Sequence, residues 1–331
     1  MGNFGHGVAI LGSGSATPTQ ILDNQRMSQV VETSDEWIAS RTGIQQRHLV
    51  QPSESLVSLA TQAAAGAIAR ANIQASDIDL ILLATSTPDD LFGSASKVQA
   101  AIGATQAVAF DLTAACSGFV FGMVTAAQFI RTGLYQNVLL IGADVLSRWV
   151  DWSDRRTCVL FGDGAGAVVM QRSERDRLLG FELRSDGTQN ACLTLGYASE
   201  SKELVDGITV EQGTFAPIDM KGQDVYKFAV RQVPDVVSKA LHHAELVVED
   251  VDWLLLHQAN QRILDAAAQR LGIPSEKVIS NMAHYGNTSA ASIPIALDEH
   301  VRKGMINPGD IIASAGFGAG LTWGAAIFQW G

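Results

Sequence analysis

The second half of this chain repeats the first, and that duplication restricts the fold more than any other feature. Cys116 lies 17 residues before the Gly133 that closes CSGFVFGMVTAAQFIRTG, and Asn287 lies 17 residues before Gly304 in NTSAASIPIALDEHVRKG. Upstream, IDLILLATSTPDD (78–90) aligns with VDWLLLHQANQRI (251–263), which sets His257 against Ala84. Duplicated folds bring equivalent positions together around a pseudo-twofold axis. A Cys, a His and an Asn that are distant in sequence are therefore expected to meet at one site.

Strand and helix signals alternate along both copies. GVAILGSG (7–14) reads as a strand, and SDEWIAS (34–40) opens a helix with a polar N-cap and acids in its first turn. LVSLATQAAAGAIARA (56–71) is Ala-rich and helical, and DLILLAT (79–85) has the continuous apolar pattern of a buried parallel strand. A helix over SASKVQAAIGA, a strand over 107–113, a helix over about 116–132 and a strand over 138–144 follow. TCVLFGDGAGAVVM (157–170) places two apolar runs around Asp163-Gly164, a hairpin signal. From Leu178 the order restarts: a strand, an irregular polar stretch over 184–217, helix 222–244, strand WLLLH, helix 261–271, strand KVISN, helix 288–303, strand DIIASAG and a last hairpin through 317–330.

At 331 residues the chain exceeds the size of one hydrophobic core, and no Pro/Ser-rich linker divides it. Two fused halves sharing an interface, 1–171 and 172–331, are expected. The alternation implies an α/β fold with mostly parallel sheets. Stacking two such halves gives five layers, α-β-α-β-α, with the helices that start near Cys116 and Asn287 in the shared middle layer.

Several functions are disfavoured. A net charge of −11 argues against nucleic-acid binding, and an acidic partner would need a local basic patch. No apolar run reaches membrane-span length. MGNFGHGVAIL lacks the basic segment and cleavage site of a signal peptide. Met1-Gly2 suggests myristoylation, but His6 stands where Ser or Thr is required. The three cysteines, 116, 158 and 192, show no C-x-x-C spacing and cannot all pair, which points to a reducing, cytoplasmic setting without a metal site.

Cys116 sits directly after a strand and at the start of a helix, where unpaired N–H groups favour a thiolate. A Cys simply buried among small residues is the competing reading; the strand-to-helix placement and the match to Asn287 outweigh it. His257 closes the strand WLLLH, and ligands in parallel α/β folds gather at such strand ends. Asn287 is either a helix N-cap or a neutral donor aimed at a substrate carbonyl. GDGAGA (162–167) fits a loose dinucleotide pattern, but a strand follows it rather than a helix, which excludes that site. GFGAGLTWG (316–324) suits a backbone approaching an oxyanion.

These residues resemble the β-ketoacyl-acyl-carrier-protein synthase III family within the thiolase-like condensing enzymes. The markers are SDEWIASRTGI (34–44), AACSGF (114–119), DRRTCVLFGDGAGA (154–167), LLLHQANQRI (254–263), HYGNTSAAS (284–292) and FGAGLTWG (317–324). The pair His257 and Asn287 separates this branch from elongating synthases, which use two His, and from hydroxymethylglutaryl-CoA synthases, which also need a Glu. The resemblance implies that Cys116 is acylated by a short acyl-CoA, acetyl-CoA foremost. Malonyl-acyl carrier protein then loses CO2, and its enolate attacks the acyl-Cys. Decarboxylation supplies the carbanion equivalent, so neither metal nor cofactor is expected, and CoA is a substrate.

The resemblance also assigns further residues. His257 and Asn287 would hold the enolate, and the backbone N–H groups of Cys116 and Ala319 the oxyanion. Ala319 departs from the family's usual Gly, which a backbone donor tolerates if its dihedrals suit Ala. Trp37, Arg41, Thr42, Arg155, Gly222 and Asn260 would contact CoA, with Trp37 and Arg41 on one helix face. Lys227, Arg262 and Arg270 would attract the acidic carrier. Phe92 resembles the residue that closes the partner's acyl pocket in a homodimer, although Gly93 replaces the usual Pro. Three other readings stand beside this one. They are a relative from secondary metabolism with a different acceptor, a Cys–His hydrolase and a non-catalytic scaffold.

Overall fold

The computed structural model describes residues 5–331; the Met1-Gly2 start lies outside the described residues. The main elements of the first half are β1 (Gly7–Ala16), α1 (Asp35–Thr42), α2 (Leu56–Ala71), β2 (Leu80–Ala84), α3 (Ala95–Ile102), β3 (Val108–Leu112), α4 (Gly118–Arg131), β4 (Asn137–Val145) and β5 (Asp163–Ser173). The second half contains β6 (Leu178–Ser185), β7 (Tyr197–Val205), β8 (Ile208–Phe215), α5 (Gly222–His243), β9 (Trp253–Leu256), α6 (Gln261–Leu271), α7 (Ser292–Arg302), β10 (Ile311–Gly318) and β11 (Thr322–Gln329).

Local chemistry explains the boundaries. Ser34 caps α1 by accepting the Trp37 N–H, and Gly43 ends the helix at φ 81°. Ser55 and Ser58 form a reciprocal capping box at the start of α2. All five residues of β2 are buried, as its unbroken apolar run requires.

The first sheet has strand order β1-β5-β4-β2-β3, and the second has β6-β11-β10-β9. The orders superimpose strand for strand. The β3 position is filled in the second half by a single bridge from Val278 to Leu254, where a full strand KVISN was expected. Both sheets are mixed rather than mostly parallel: β1 and β4 run antiparallel to β5, while β4, β2 and β3 run parallel. Helix α4 packs on strands of both sheets, as does α7, so they form the shared middle layer. Phe119, Met123 and Ile293 bury there between Leu140 of one sheet and Ile312 of the other. Helices α2 and α3 cover the outer face of the first sheet, and α5 with α6 that of the second.

Three expectations need correction. Asp163-Gly164 opens strand β5 instead of turning a hairpin, because Arg155–Cys158 forms a helical turn capped by Asp154. The supposedly irregular 184–217 stretch contains an exposed antiparallel hairpin, β7–β8. β5 also runs two residues beyond 171, so the sheets are separated at 174–177.

The spacing argument needs refinement too. α4 has 14 residues and α7 has 11. Counting back from Gly133 and Gly304 therefore equates Cys116 with Asn287, but at the helix starts the short turn 115–117 corresponds to 289–291. Cys116 is equivalent to Ala290, and Asn287 lies on the connection just upstream. Packing across the axis agrees. A Cβ on Gly142 of β4 would lie 2.3 Å from the Ala290 carbonyl oxygen, and one on Gly316 of β10 would lie 3.3 Å from that of Cys116.

Candidate active site

The turn Ala115–Ser117, between β3 and α4, carries Cys116. Ser117 Oγ donates to the Ala114 carbonyl at 2.7 Å and lies 2.8 Å from Thr322 Oγ1, which ties the turn to β11. The Cys116 side chain is buried, and Ser289 Oγ donates to its sulfur at 3.3 Å. Burial pushes the thiol up to about 12, with the Asp144 carboxylate and against the Ser289 hydrogen bond. Burial thus opposes the thiolate expected at a helix start, and α4 itself begins only at Gly118. A thiol so raised is neutral at pH 7. Cys158, buried beside Arg47, is likewise pushed up, to about 11, and Cys192 is half-buried outside both site cavities.

His257 follows β9, and its backbone N–H donates to the Ala315 carbonyl at 2.8 Å. Burial pushes its imidazole down to about 3, so it is neutral. Ser292 is the neighbour that bears on its tautomer. Ser292 Oγ accepts the Gln258 N–H at 3.2 Å and lies 2.7 Å from His257 Nδ1. Donation of that hydroxyl's hydrogen to Nδ1 leaves the proton on Nε2, the tautomer in which the ring can donate into the cavity. Phe317 packs edge-on against the ring at 5.3 Å. In that tautomer His257 offers Nε2–H as a donor.

Asn287 is oriented in the same sense. Its Oδ1 accepts the Ser289 N–H at 2.9 Å, so Nδ2 turns away from the backbone. Its own N–H donates to the Leu160 carbonyl, and its carbonyl accepts from Gly162. Asn287 consequently works from a clamped loop and does not cap α7, whose N-cap position is Ala291.

Cys116, His257 and Asn287 line one cavity of about 540 Å³. Trp37, Arg41, Thr42, Arg155, Gly222 and Asn260 line the same cavity. The guanidinium carbons of Arg41 and Arg155 lie 4.8 and 4.9 Å from the Trp37 ring centroid. Asn260 is partly committed, capping α6 and donating to the Arg41 carbonyl at 3.0 Å. Lys227 and Arg262 also line this cavity; Arg270 does not, and donates instead to the Val230 carbonyl at 2.8 Å.

A second cavity of about 560 Å³ reaches Cys116 from the other side. It is lined by Leu91, Leu146, Trp149, Leu195, Phe215 and Ile218, with Ala319 and Ser289 at the Cys116 end. Ala319 lies outside the left-handed region, so its Cβ brings no backbone strain. Phe92 lines neither cavity and is fully exposed. Gly93 holds φ 108°, which a Pro cannot adopt.

Sequence reasoning missed Ser289, Ser292 and Asp144. The two serines stand in HYGNTSAAS, and Asp144 closes strand VLLIGAD, so strand-end position was an available signal for the last.

Comparisons with known proteins identify the family. A family described as 3-oxoacyl-[acyl-carrier-protein] synthase III matches residues 110–187, and one described as its C-terminal part matches 241–330. A curated beta-ketoacyl-[acyl-carrier-protein] synthase III from Nostoc sp. is 70% identical over 325 residues, covering 98% of each chain. This chain belongs to the β-ketoacyl-acyl-carrier-protein synthase III family. Among solved structures, the synthase III of Aquifex aeolicus VF5 matches with TM-score 0.90 and 43% identity, over 98% of this chain and 100% of that one. The priming β-ketosynthase of the R1128 polyketide pathway matches with TM-score 0.90 at 32% identity, over 100% of this chain and 98% of that one. The thiolase-like duplicated fold is therefore established, and the chain is an acyl-transferring condensing enzyme of fatty-acid synthesis. The secondary-metabolism reading is the weaker one, since its representative is 32% identical, against 70% for the Nostoc synthase III.

Proposed function

We propose that the enzyme starts acyl chains by loading a short acyl group, acetyl foremost, from acyl-CoA onto Cys116 and condensing it with malonyl-acyl carrier protein. One observation carries this reading: two cavities meet at a single sulfur, one edged by cationic and aromatic groups, the other apolar. The Cys116 sulfur attacks the thioester carbonyl, the bond to the CoA sulfur breaks, and the thiol proton ends on released CoA. The acyl chain then lies in the apolar cavity. Malonyl-acyl carrier protein enters by the vacated route. Its carboxyl carbon–carbon bond breaks, the electron pair forms an enolate, and CO2 leaves. His257 Nε2–H and Asn287 Nδ2–H donate to the enolate oxygen. The enolate carbon attacks the acyl-Cys carbonyl, and the Cys116 sulfur departs as the leaving group. Lys227 and Arg262 at the rim suit an acidic carrier; the position of Arg270 gives it the weakest case.

Intact mass after brief exposure to acetyl-CoA tests the loading step. One acetyl group retained in wild type and missing in Cys116→Ala is expected; absence of any adduct with acetyl and longer CoA thioesters would refute the reading. For the entry route, Trp37→Ala should raise KM for acetyl-CoA about tenfold and leave KM for malonyl-acyl carrier protein nearly unchanged, as loss of a stacking and cation–π platform implies. An equal rise in both would remove Trp37 from the CoA site.

The homodimer rests on exposed apolar surface. Edge strand β3 leaves Val108 and Phe110 48% and 40% exposed, and Leu91 and Phe92 project fully or nearly so beside it. Pairing of this edge with a second copy would cover these groups. Wild type should sediment as a dimer and Phe110→Asp as a monomer; a monomeric wild type would end the proposal.

A further inference from the structure

The pseudo-twofold axis relates the turn carrying Cys116 to the turn Ser289–Ala291. Ala115 and Ser289 hold equivalent positions and share a positive φ, 46° and 52°. The N–H of the next residue faces the end of a strand from the opposite half. For Cys116 that strand end is Gly318, where an added Cβ would lie 2.6 Å from the Cys116 nitrogen. Only glycine leaves room in front of that N–H. For Ala290 the equivalent residue is Asp144, whose Oδ2 accepts the Ala290 N–H at 3.2 Å. A donor open to an oxyanion in one half is thus met by a built-in carboxylate in the other.

Asp144 is itself tightly held. Its Oδ1 accepts from Thr85 Oγ1 at 3.1 Å, the Ser86 N–H at 2.8 Å and Thr87 Oγ1 at 2.9 Å. Both hydroxyls already accept backbone N–H groups, Thr85 from Thr87 and Thr87 from Val145, so each gives its hydrogen to Asp144. Asp144 is fully buried, and the mechanism above does not use it. Next to the pinned Ala290, the Ser289 hydroxyl meets the Cys116 sulfur and also reaches the Asp144 carboxyl.

We propose that Asp144 is a positioning residue: its carboxylate fills the counterpart of the oxyanion site, pins the Ala290 N–H, and so holds the Ser289 hydroxyl on the Cys116 sulfur. The inference rests on Cys116 being the nucleophile. In acylation the hydroxyl donates to sulfur as negative charge develops there, while Asp144 neither gains nor loses a proton. Ionisable groups facing Cys116 are Asp144 from β4 and His257 after β9; α4, β10, β11 and the turn 289–291 present none.

Asp144→Asn separates anchoring from charge. Three donors hold the amide oxygen on the Oδ1 side, so the new NH2 group confronts the Ala290 N–H and releases the turn. The readout is the rate of Cys116 alkylation by iodoacetamide between about pH 7 and 10, which follows thiolate fraction. The Ser289 hydrogen bond lowers the Cys116 pKa more than the Asp144 charge raises it. Release of Ser289 should therefore slow alkylation about three- to tenfold at each pH, the size of a half- to one-unit rise. Faster alkylation would mean that Asp144 acts through charge alone and would overturn the proposal.

Ser289→Ala should slow alkylation by a similar factor, and the double variant should fall little further, because both changes break one chain of contacts. A double variant slowed by the product of the two factors would also overturn it. If Asp144→Asn does not fold, Thr87→Val removes one clamp on the carboxylate. A fall of about twofold is then expected, and an unchanged rate refutes the proposal. A wild-type enzyme in which residue 116 is never acetylated refutes the proposed function itself, whereas normal acetylation with unaltered variants refutes only the role of Asp144.

Discussion

Cys116→Ala should lose acyl transfer from acyl-CoA to below detection and keep measurable decarboxylation of malonyl-acyl carrier protein. The substitution removes the sulfur and little else. The turn is held by the Ser117 and Thr322 hydroxyls and by backbone contacts with β10, none of which involves the thiol. The two donors proposed for the enolate are held independently of Cys116, His257 by Ser292 and Asn287 by the Ser289 N–H. Covalent catalysis needs the sulfur, whereas loss of CO2 needs only somewhere for negative charge to go. Radiolabelled CO2 release from malonyl-acyl carrier protein, beside acetyl transfer, makes the check. A variant that loses both activities equally would mean that decarboxylation depends on the acylated sulfur.

His257→Ala should show the opposite pattern. Decarboxylation and condensation should fall about 10²–10³-fold, the usual loss on removing one preorganised donor, while acetylation of Cys116 stays within about tenfold. The ring cannot serve as the base for the thiol while Nε2 carries the proton, so the nucleophile should survive without it. The pH dependence follows from burial. An imidazole pushed down to about 3 stays neutral at every higher pH, and its donor tautomer persists. Decarboxylation by Cys116→Ala should therefore show no inflection near about pH 6.5, where an unperturbed His titrates. A rate that changes as pH falls through that value would show an imidazole protonated in the working range. Loss of acetylation with decarboxylation intact would exchange the roles assigned to His257 and Cys116.

Much of the site was legible because motif and fold repeat together. Cys116 and His257 both stand at strand ends, and strand ends are readable from apolar runs and the helix signals after them. The match between halves was read three residues out of register at Cys116. Counting from the helix-terminal glycines hides the fact that α7 is three residues shorter than α4. Sequence periodicity marks a helix face more clearly than a helix start. The hairpin expected around Asp163 failed for a related reason: Asp-Gly is a turn signal only when the preceding residues are extended, and Asp154 caps a helical turn there. The exposed β7–β8 hairpin escaped notice because its strands bury almost nothing, which leaves no apolar alternation to read.

Sequence alone determined the duplication, the five layers, the family and the three residues that meet at the cavity, since each is encoded in local pattern or in the order of motifs. The tertiary structure decided the protonation of the site. A helix start in the sequence argues for a thiolate, but the charge state of Cys116 depends on how much water the second half excludes and on a carboxylate 28 residues further on. The tautomer of His257 depends on Ser292, and the direction of the Asn287 amide on the Ser289 N–H. Desolvation and hydrogen-bond direction arise from groups brought together by packing, and neither has a signature in the linear chain.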